Sequence, residues 1–452
     1  MVTVINRLSS YFMKPAHLAP LAVFRMLFGL LMFGSVLRFI AKGWVYTMYI
    51  KPKLFFPYFG FEWIKPLPET GMYLVFIVMA IASLFIAAGF FYRFASLLFF
   101  LLFTYVELID KTNYLNHYYF VSIISFLLIF LPAHRYFSGD ALRDKSLQAS
   151  HAPNYFILII KLQVFIVYFF AGLAKINTDW LLNAEPLKIW LPAHSELPVI
   201  GSLLTKTWVA YLFSWFGCAY DLIIPFLLFI PRFIKPAYLL VIVFHLATAL
   251  FFNIGMFPYI MICLTSIFFT EQFHIRIIQK IKRLLKIGLN QPEIKTAFVP
   301  SAPVLKLTAV LFMLYFVVQI LVPLRYVVYP GNLYWTEQGY RFSWRVMLME
   351  KAGTAFFFIH DKTTGGEIEV DNKKYLTYMQ EKMMATQPDM MIDYAKFLKQ
   401  EFIKQGFKNP EVRAQSYVTL NGRGSKPFID ETVDLSSQSN SFLQTKNWIR
   451  EF

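Results

Sequence analysis

The feature that most constrains this chain is a series of apolar runs of about 20 residues each, near positions 18–41, 71–91, 94–109, 114–133, 154–174, 208–230, 237–253, 255–270 and 303–326. A backbone in hydrocarbon must satisfy its own polar groups, and a helix does this within one segment. Hydrophobic residues make up 57% of the chain and charged ones only 15%, an unusual balance for a soluble protein of this length. The expected fold is therefore a polytopic α-helical membrane protein with about nine transmembrane helices. The stretch Asn253-Ile-Gly-Met-Phe-Pro258 leaves open whether the seventh and eighth runs are two helices or one broken helix.

Charge gives the expected orientation. A net charge of +16 needs no nucleic acid to explain it, because basic residues gather in cytoplasmic loops and at anionic headgroups. The densest basic loop, between residues 271 and 302, carries Arg276, Lys280, Lys282, Arg283, Lys286 and Lys295. Counting back from it through nine spans puts Arg7, Lys14, Arg93, Arg135, Arg143, Lys145, Arg232 and Lys235 on the same side. Residues 42–70, 110–113, 176–207 and everything after the last span then face the opposite, extracytoplasmic side. The four lysines of 42–70 run against the pattern. No cleavable signal peptide is evident, since the first apolar run is long and lacks a small-residue cleavage site.

After Val327 the composition becomes that of a soluble domain. The chain thus divides into a transmembrane helical domain, 1–326, and a small C-terminal extracytoplasmic α+β domain, 327–452. Thr354 to Asp361, the Thr363-Thr-Gly-Gly366 turn and Glu367 to Val370 read as a hairpin, 388–405 as an amphipathic helix, and 414–429 around Asn421-Gly422 as a second hairpin. The tail from Asp430 is expected to pack over this module or the membrane surface.

Three polar features stand out within the apolar part. Lys175 closes the run Phe165-Ile-Val-Tyr-Phe-Phe-Ala-Gly-Leu-Ala. It reads either as a snorkelling residue that marks a helix end or as a buried amine, and a desolvated amine that sheds its proton can act as a base. Asp110-Lys-Thr-Asn-Tyr-Leu-Asn116-His117 forms a second cluster at the same expected depth. His245 falls near mid-span, where an ionisable residue is a functional candidate or a helix-packing one. Cys218 and Cys263 lie in apolar runs and suggest neither a disulfide framework nor a metal site. No phosphate-binding glycine loop, nucleophile elbow or zinc-binding spacing occurs, so no metal is expected.

Together, Asp110-Lys-Thr-x-x-x-Asn-His117, Phe165-Ile-Val-Tyr-Phe-x-Ala-Gly-x-x-Lys175 with Asp179-Trp180, Phe244-His245 with Ile254-Gly-Met-Phe257, and Trp335-Thr-x-x-Gly-x-x-x-Ser343-Trp344 resemble the vitamin K-dependent gamma-glutamyl carboxylase family, here a bacterial homologue with a horizontally transferred transmembrane domain. The resemblance covers nearly the whole chain. It implies an integral membrane enzyme that oxidises vitamin K hydroquinone (or menaquinol) with O2 to the 2,3-epoxide. The oxygenated quinone intermediate is a strong base that removes a γ-proton from a peptide glutamate, and the carbanion attacks CO2. The resemblance also implies residue roles. Lys175 matches the catalytic lysine that deprotonates the hydroquinone, and His117 the active-site histidine, with Asn116 beside it as a hydrogen-bond donor. Tyr168 and His245 are placed either behind the catalytic residues or in the quinone pocket.

Where animal members have two adjacent lysines, this chain has Ala174 before Lys175, leaving one candidate base. Animal members also extend further at the C-terminus, which puts propeptide recognition in doubt. A glutamate-containing peptide or protein and membrane lipid or quinone are the expected partners, with no nucleic acid. The expected location is a bacterial inner membrane, with the C-terminal domain in the periplasm. Two further readings stay open: a quinol epoxidase without protein carboxylation, and a non-enzymatic quinone- or lipid-binding scaffold or transporter. A transporter would more naturally show a fold repeat.

Overall fold

The computed structural model describes residues 10–252, 254–286, 296–363 and 365–452. The apolar runs fold as helices: α1 (Ala19–Ala41), α2 (Glu69–Ala88), α3 (Tyr92–Ile109), α4 (Asn116–Phe130), α5 (Tyr155–Ala174), α6 (Thr207–Phe229), α7 (Ile234–Phe251) and α8 (Phe257–Thr265). The basic loop adds α9 (Glu271–Leu285) before the last run, α10 (Ala302–Leu324). Seven of these segments are long and apolar enough to cross a membrane. The 15 residues of α4 reach about 22 Å at a rise of 1.5 Å each, short of a hydrocarbon core of about 30 Å. The α8 segment turns into α9 through a bend of 112°, so that pair supplies at most one more span.

The seventh and eighth runs are two helices. Tyr238, early in α7, donates to the Ile262 carbonyl at 3.0 Å, so α8 folds back along α7. The turn between them passes through Gly255 at φ 61°; Asn253 lies outside the described residues, as do Arg7, Lys295 and Thr364.

One end of the bundle is basic and tightly bonded. Arg25, almost fully buried in α1, donates to the Ala133 and Phe137 carbonyls at 3.0 and 2.8 Å. Gly89 caps α2 at φ 64°, and a Cβ there would stand 2.1 Å from the Arg25 guanidinium. Glycine is thus required for its backbone angle and for space. Asp140 accepts from the Phe91 and Tyr92 amides, both at 2.9 Å, where the exposed N–H groups of α3 favour an anion. Two short strands, β1 (Pro15–His17) and β2 (His151–Pro153), pair antiparallel beside them. The helix α9 packs Ile278 on Ala19, Ala22 and Val23 of α1 and leaves its basic residues outward, as an interfacial helix does.

Close helix approach holds the interior. A Cβ at Gly29 of α1 would stand 2.5 Å from backbone atoms of Ser83 and Ala87 in α2, the small-residue contact that membrane helices use in place of a hydrophobic driving force. The peripheral α10 is tied on by polar groups instead. Tyr315 donates to Gln163 at 2.6 Å, Gln163 to Gln319 at 3.5 Å, and Gln319 to Tyr119 at 3.0 Å.

The C-terminal region sits on the other end. Its sheet has the order β4-β3-β5-β6, with β3 (Lys351–His360), β4 (Glu367–Val370), β5 (Glu411–Leu420) and β6 (Lys426–Pro427) antiparallel throughout. Both expected hairpins are present. Every second residue of β5 from Val412 to Leu420 is buried, the period of a strand with one covered face. The cover is α12 (Pro388–Lys404), preceded by α11 (Tyr378–Met384). The tail packs on this module: Trp335 donates to the Arg450 carbonyl at 2.7 Å, and Ile449 bridges to Ile429.

The Asp110-Lys-Thr cluster is the main seat of this region. Lys111, 2% exposed, lies 2.9 and 2.6 Å from carboxylate oxygens of Asp389 and Asp393 in α12. Gln380 of α11 donates to Asp110 at 3.0 Å and to the Leu54 carbonyl at 2.6 Å. A second contact joins Asp179 to Arg423 and Asn421.

Candidate active site

The long apolar run of α5 ends where Lys175 caps it, and the side chain turns back into the bundle instead of out to water. Its Nζ donates to Asp221 Oδ2 at 2.6 Å and to the Ala171 carbonyl, one turn back, at 3.3 Å. It also stands 5.4 Å from the Trp180 ring centre. Asp221 is on α6, and both side chains are less than a tenth exposed. An isolated ammonium or carboxylate is very costly at this depth, whereas the pair carries no net charge. Trp180 is fixed by its own bond to the Ser214 carbonyl, at 2.8 Å.

The pair faces a cavity of about 360 Å³. Its wall is almost wholly apolar, drawn mainly from α5, α6, α7 and α8, with Trp180 and Leu187 from the segment after α5 and Val346 and Met347 from the C-terminal region. Polar groups recur deeper along it. Tyr168 Oη lies 2.9 Å from His245 Nε2, and both residues line the cavity. Among the described residues the buried His245 Nδ1 has no hydrogen-bond partner, and the Tyr220 hydroxyl lies beside that of Tyr168. The shape is that of an apolar slot with one polar station at Lys175 and another at His245.

Of the five residues expected at a site, Lys175, Tyr168 and His245 share this cavity. His117 stands one layer behind it: its ring centre is 6.1 Å from that of Phe257, which is in turn 6.0 Å from His245. Asn116 points elsewhere. Its amide donates to the Arg345 carbonyl at 2.7 Å, and its oxygen accepts from Tyr114 at 3.0 Å, so it fastens the C-terminal region to the start of α4. Asp221 was missed by the sequence reading, although an acid inside an apolar run is itself a signal.

A second, more polar cavity of about 750 Å³ lies across the Lys175 backbone, at the junction with the C-terminal region. Asn177, Asp179, Tyr334, Arg345 and Arg423 line it. Tyr334 donates to the Ala174 carbonyl and accepts from Asn177, both at 3.1 Å. Hydrogen bonding from Arg423 holds the Asp179 carboxyl below its ordinary range, against the upward push of burial. The two cavities meet along the chain itself: Arg345 lines the polar one, and its neighbours Val346 and Met347 the apolar one.

No solved structure matches this chain. Two family models do: the HTTM domain over residues 13–273 and the lumenal domain of vitamin K-dependent gamma-carboxylase over residues 304–452. With a membrane bundle and a membrane-proximal α+β region in that order, the chain belongs to the HTTM-domain, vitamin K-dependent gamma-carboxylase family.

Proposed function

We propose that the protein is a vitamin K-dependent gamma-glutamyl carboxylase, which oxidises vitamin K hydroquinone or menaquinol with O2 to the 2,3-epoxide and couples this to carboxylation of a peptide glutamate. In the overall balance, quinol, O2, the glutamyl side chain and CO2 give epoxide, γ-carboxyglutamyl, water and one proton. The observation that carries the reading is the Lys175–Asp221 pair at one polar station of an apolar cavity. The cavity fits a quinol, with apolar walls for a ring and Lys175 and His245 as separate partners for oxygens. Bound quinol supplies the redox chemistry and the strong base.

The protein's part begins with a proton. Along the 2.6 Å hydrogen bond the pair can convert from ammonium and carboxylate to amine and carboxylic acid with no change in net charge. The amine then takes the proton of a quinol hydroxyl, and the ammonium so formed stays beside the new oxyanion. Tyr168 and His245 hold the quinol in place, and the surrounding aromatic side chains exclude water that would quench a carbanion. His117 is assigned to the carboxylation half of the reaction, acting from behind Phe257.

The loop charges support a bacterial inner membrane location, with the basic end cytoplasmic and residues 327–452 in the periplasm. The partners are then membrane quinone and a glutamate-containing peptide or protein on the outer side. The test supplies purified protein in nanodiscs with reduced vitamin K, O2, labelled bicarbonate and a short glutamate peptide, with Lys175→Ala as control. Label in the peptide together with epoxide, both lost in the variant, is the expected result. Epoxide without label selects a quinol epoxidase, and neither product selects a binding scaffold.

A further inference from the structure

Residues 42–70 join α1 to α2 at the end of the bundle away from the basic loop, yet this segment carries four lysines of its own. Two of them, Lys51 and Lys53, meet Lys373 and Lys374 of the C-terminal region around one hollow of about 350 Å³. Lys53 Nζ donates to the Lys374 carbonyl at 2.9 Å, across 321 positions of chain. All four lysines are exposed, and none makes an ion pair among the described residues. Glu381 is the one acid among the described residues that line the hollow, and the adjacent Asp371 accepts from the Lys373 amide at 3.2 Å. Scattered surface lysines are an ordinary solvated face. Four around one hollow, drawn from two regions of the chain, repel one another and so oppose the docking of those regions. An anion placed among them turns that repulsion into a bridge.

We propose that the hollow binds the phosphate of an acidic phospholipid, and that the bound lipid clamps the C-terminal region to the membrane bundle. The inference goes beyond the carboxylase reading and does not rest on it.

Depth selects a lipid as the occupant. The Lys111 amide, just past the end of α3, donates to the Phe56 carbonyl at 2.8 Å, and Gln380 of α11 donates to both the Leu54 carbonyl and Asp110. The stretch 51–56 therefore lies level with the end of a membrane span, where the phosphates of the adjoining leaflet stand. Phe61 and Trp63 of the same segment are exposed, as is Tyr378 in the lining of the hollow. Exposed aromatic rings of this kind gather at the boundary between hydrocarbon and water. A basic cluster at that level attracts anionic headgroups, and the anomaly of lysines at this end of the bundle has a physical use.

The experiment reads the hollow locally. Hydrogen exchange of the full chain is compared in nanodiscs of phosphatidylcholine alone and of phosphatidylcholine mixed with phosphatidylglycerol. Amides of residues 51–56 and of α11 should exchange at least about 10-fold more slowly in the mixed discs, the effect of a ligand that holds the docked state. The difference should shrink when salt is raised from 0.1 to 1 M, as the Debye length falls from about 10 to about 3 Å. With Lys51→Gln, Lys53→Gln, Lys373→Gln and Lys374→Gln combined, the two kinds of disc should give the same exchange at these sites. Exchange at α9, at the opposite end, should match between variant and parent, which separates loss of the site from loss of fold. Equal exchange of the parent in both discs, or a lipid dependence that survives the four substitutions, would overturn the proposal. So would equal protection in phosphatidylcholine discs by soluble glycerol phosphate, which would make the occupant a free anion, or protection by a glutamate-rich peptide and not by lipid, which would make it a protein.

Discussion

Asp221 Oδ2 lies 2.6 Å from Lys175 Nζ, joining α6 to α5 through a buried ion pair in an otherwise apolar wall. The lysine therefore acts as half of a neutral unit, and each partner sets what the other can do. Asp221→Asn should remove the proton store and leave an uncompensated ammonium, at a cost of about 3–5 kcal/mol. Epoxide formation should fall at least about 100-fold. The double variant Lys175→Met with Asp221→Asn should melt higher than Asp221→Asn alone, because no charge is stranded. A double variant that melts at the sum of the two single losses would count against the pair.

Lys175→Ala should abolish epoxide formation, and the protein should still insert and elute as a folded species but melt lower than the parent, because buried Asp221 loses its counter-charge. A variant that oxidises quinol at the parent rate would remove Lys175 as the base.

His117→Ala should impair carboxylation at least as severely as epoxidation, since its ring sits behind Phe257 and away from the Lys175 station. Equal carboxylation of a glutamate peptide by variant and parent would dismiss it from the site.

Lys111→Met should loosen the C-terminal region. It strands Asp393 and leaves Asp389 with Arg341 alone, at a cost of about 3 kcal/mol or more, since the lost cation is 2% exposed. Limited proteolysis should then cut between α10 and β3 under conditions where the parent resists, and an unchanged digestion pattern would count against the seat.

Acid should loosen the same junction. Arg423 holds the Asp179 carboxyl below its ordinary range. At Asp389 burial pushes up, and Arg341 and Lys111 more than reverse it. Carboxyls depressed in the folded state contribute stability that is fully present above their unfolded value, about 3.9, and is lost as the pH falls through the folded values. Asp393, raised by burial, works in the opposite direction. Hydrogen exchange at the α11, α12 and Arg423 contacts should therefore rise below about pH 4, ahead of the sheet interior. Simultaneous exchange of contacts and sheet would show that the junction has no separate acid response.

The membrane bundle was legible because hydrocarbon imposes one rule on every residue of a span. Both hairpins and the helix at 388–404 followed from period and turn chemistry. What sequence could not show was pairing across helices. Asp221 and Lys175 are 46 positions apart, and no local pattern joins them. The Asp110-Lys-Thr cluster looked like part of a reactive site because polar residues in an apolar context are costly. In the structure Asp110 and Lys111 meet that cost by bonding α11 and α12. Asn116 was legible as a polar residue in an apolar setting, whereas its partner, the carbonyl of Arg345, lies 229 positions away. The span count was harder, since α4 is as apolar as its neighbours but shorter.

Val346 and Met347 complete the wall of a cavity that the membrane helices otherwise build with Trp180 and Leu187 of the 176–207 segment. A chain whose helices have inserted but whose last portion has not yet docked holds an open trough in that place. Completion of the compartment is thereby made contingent on docking of the outer region, so a half-assembled molecule lacks a finished chamber.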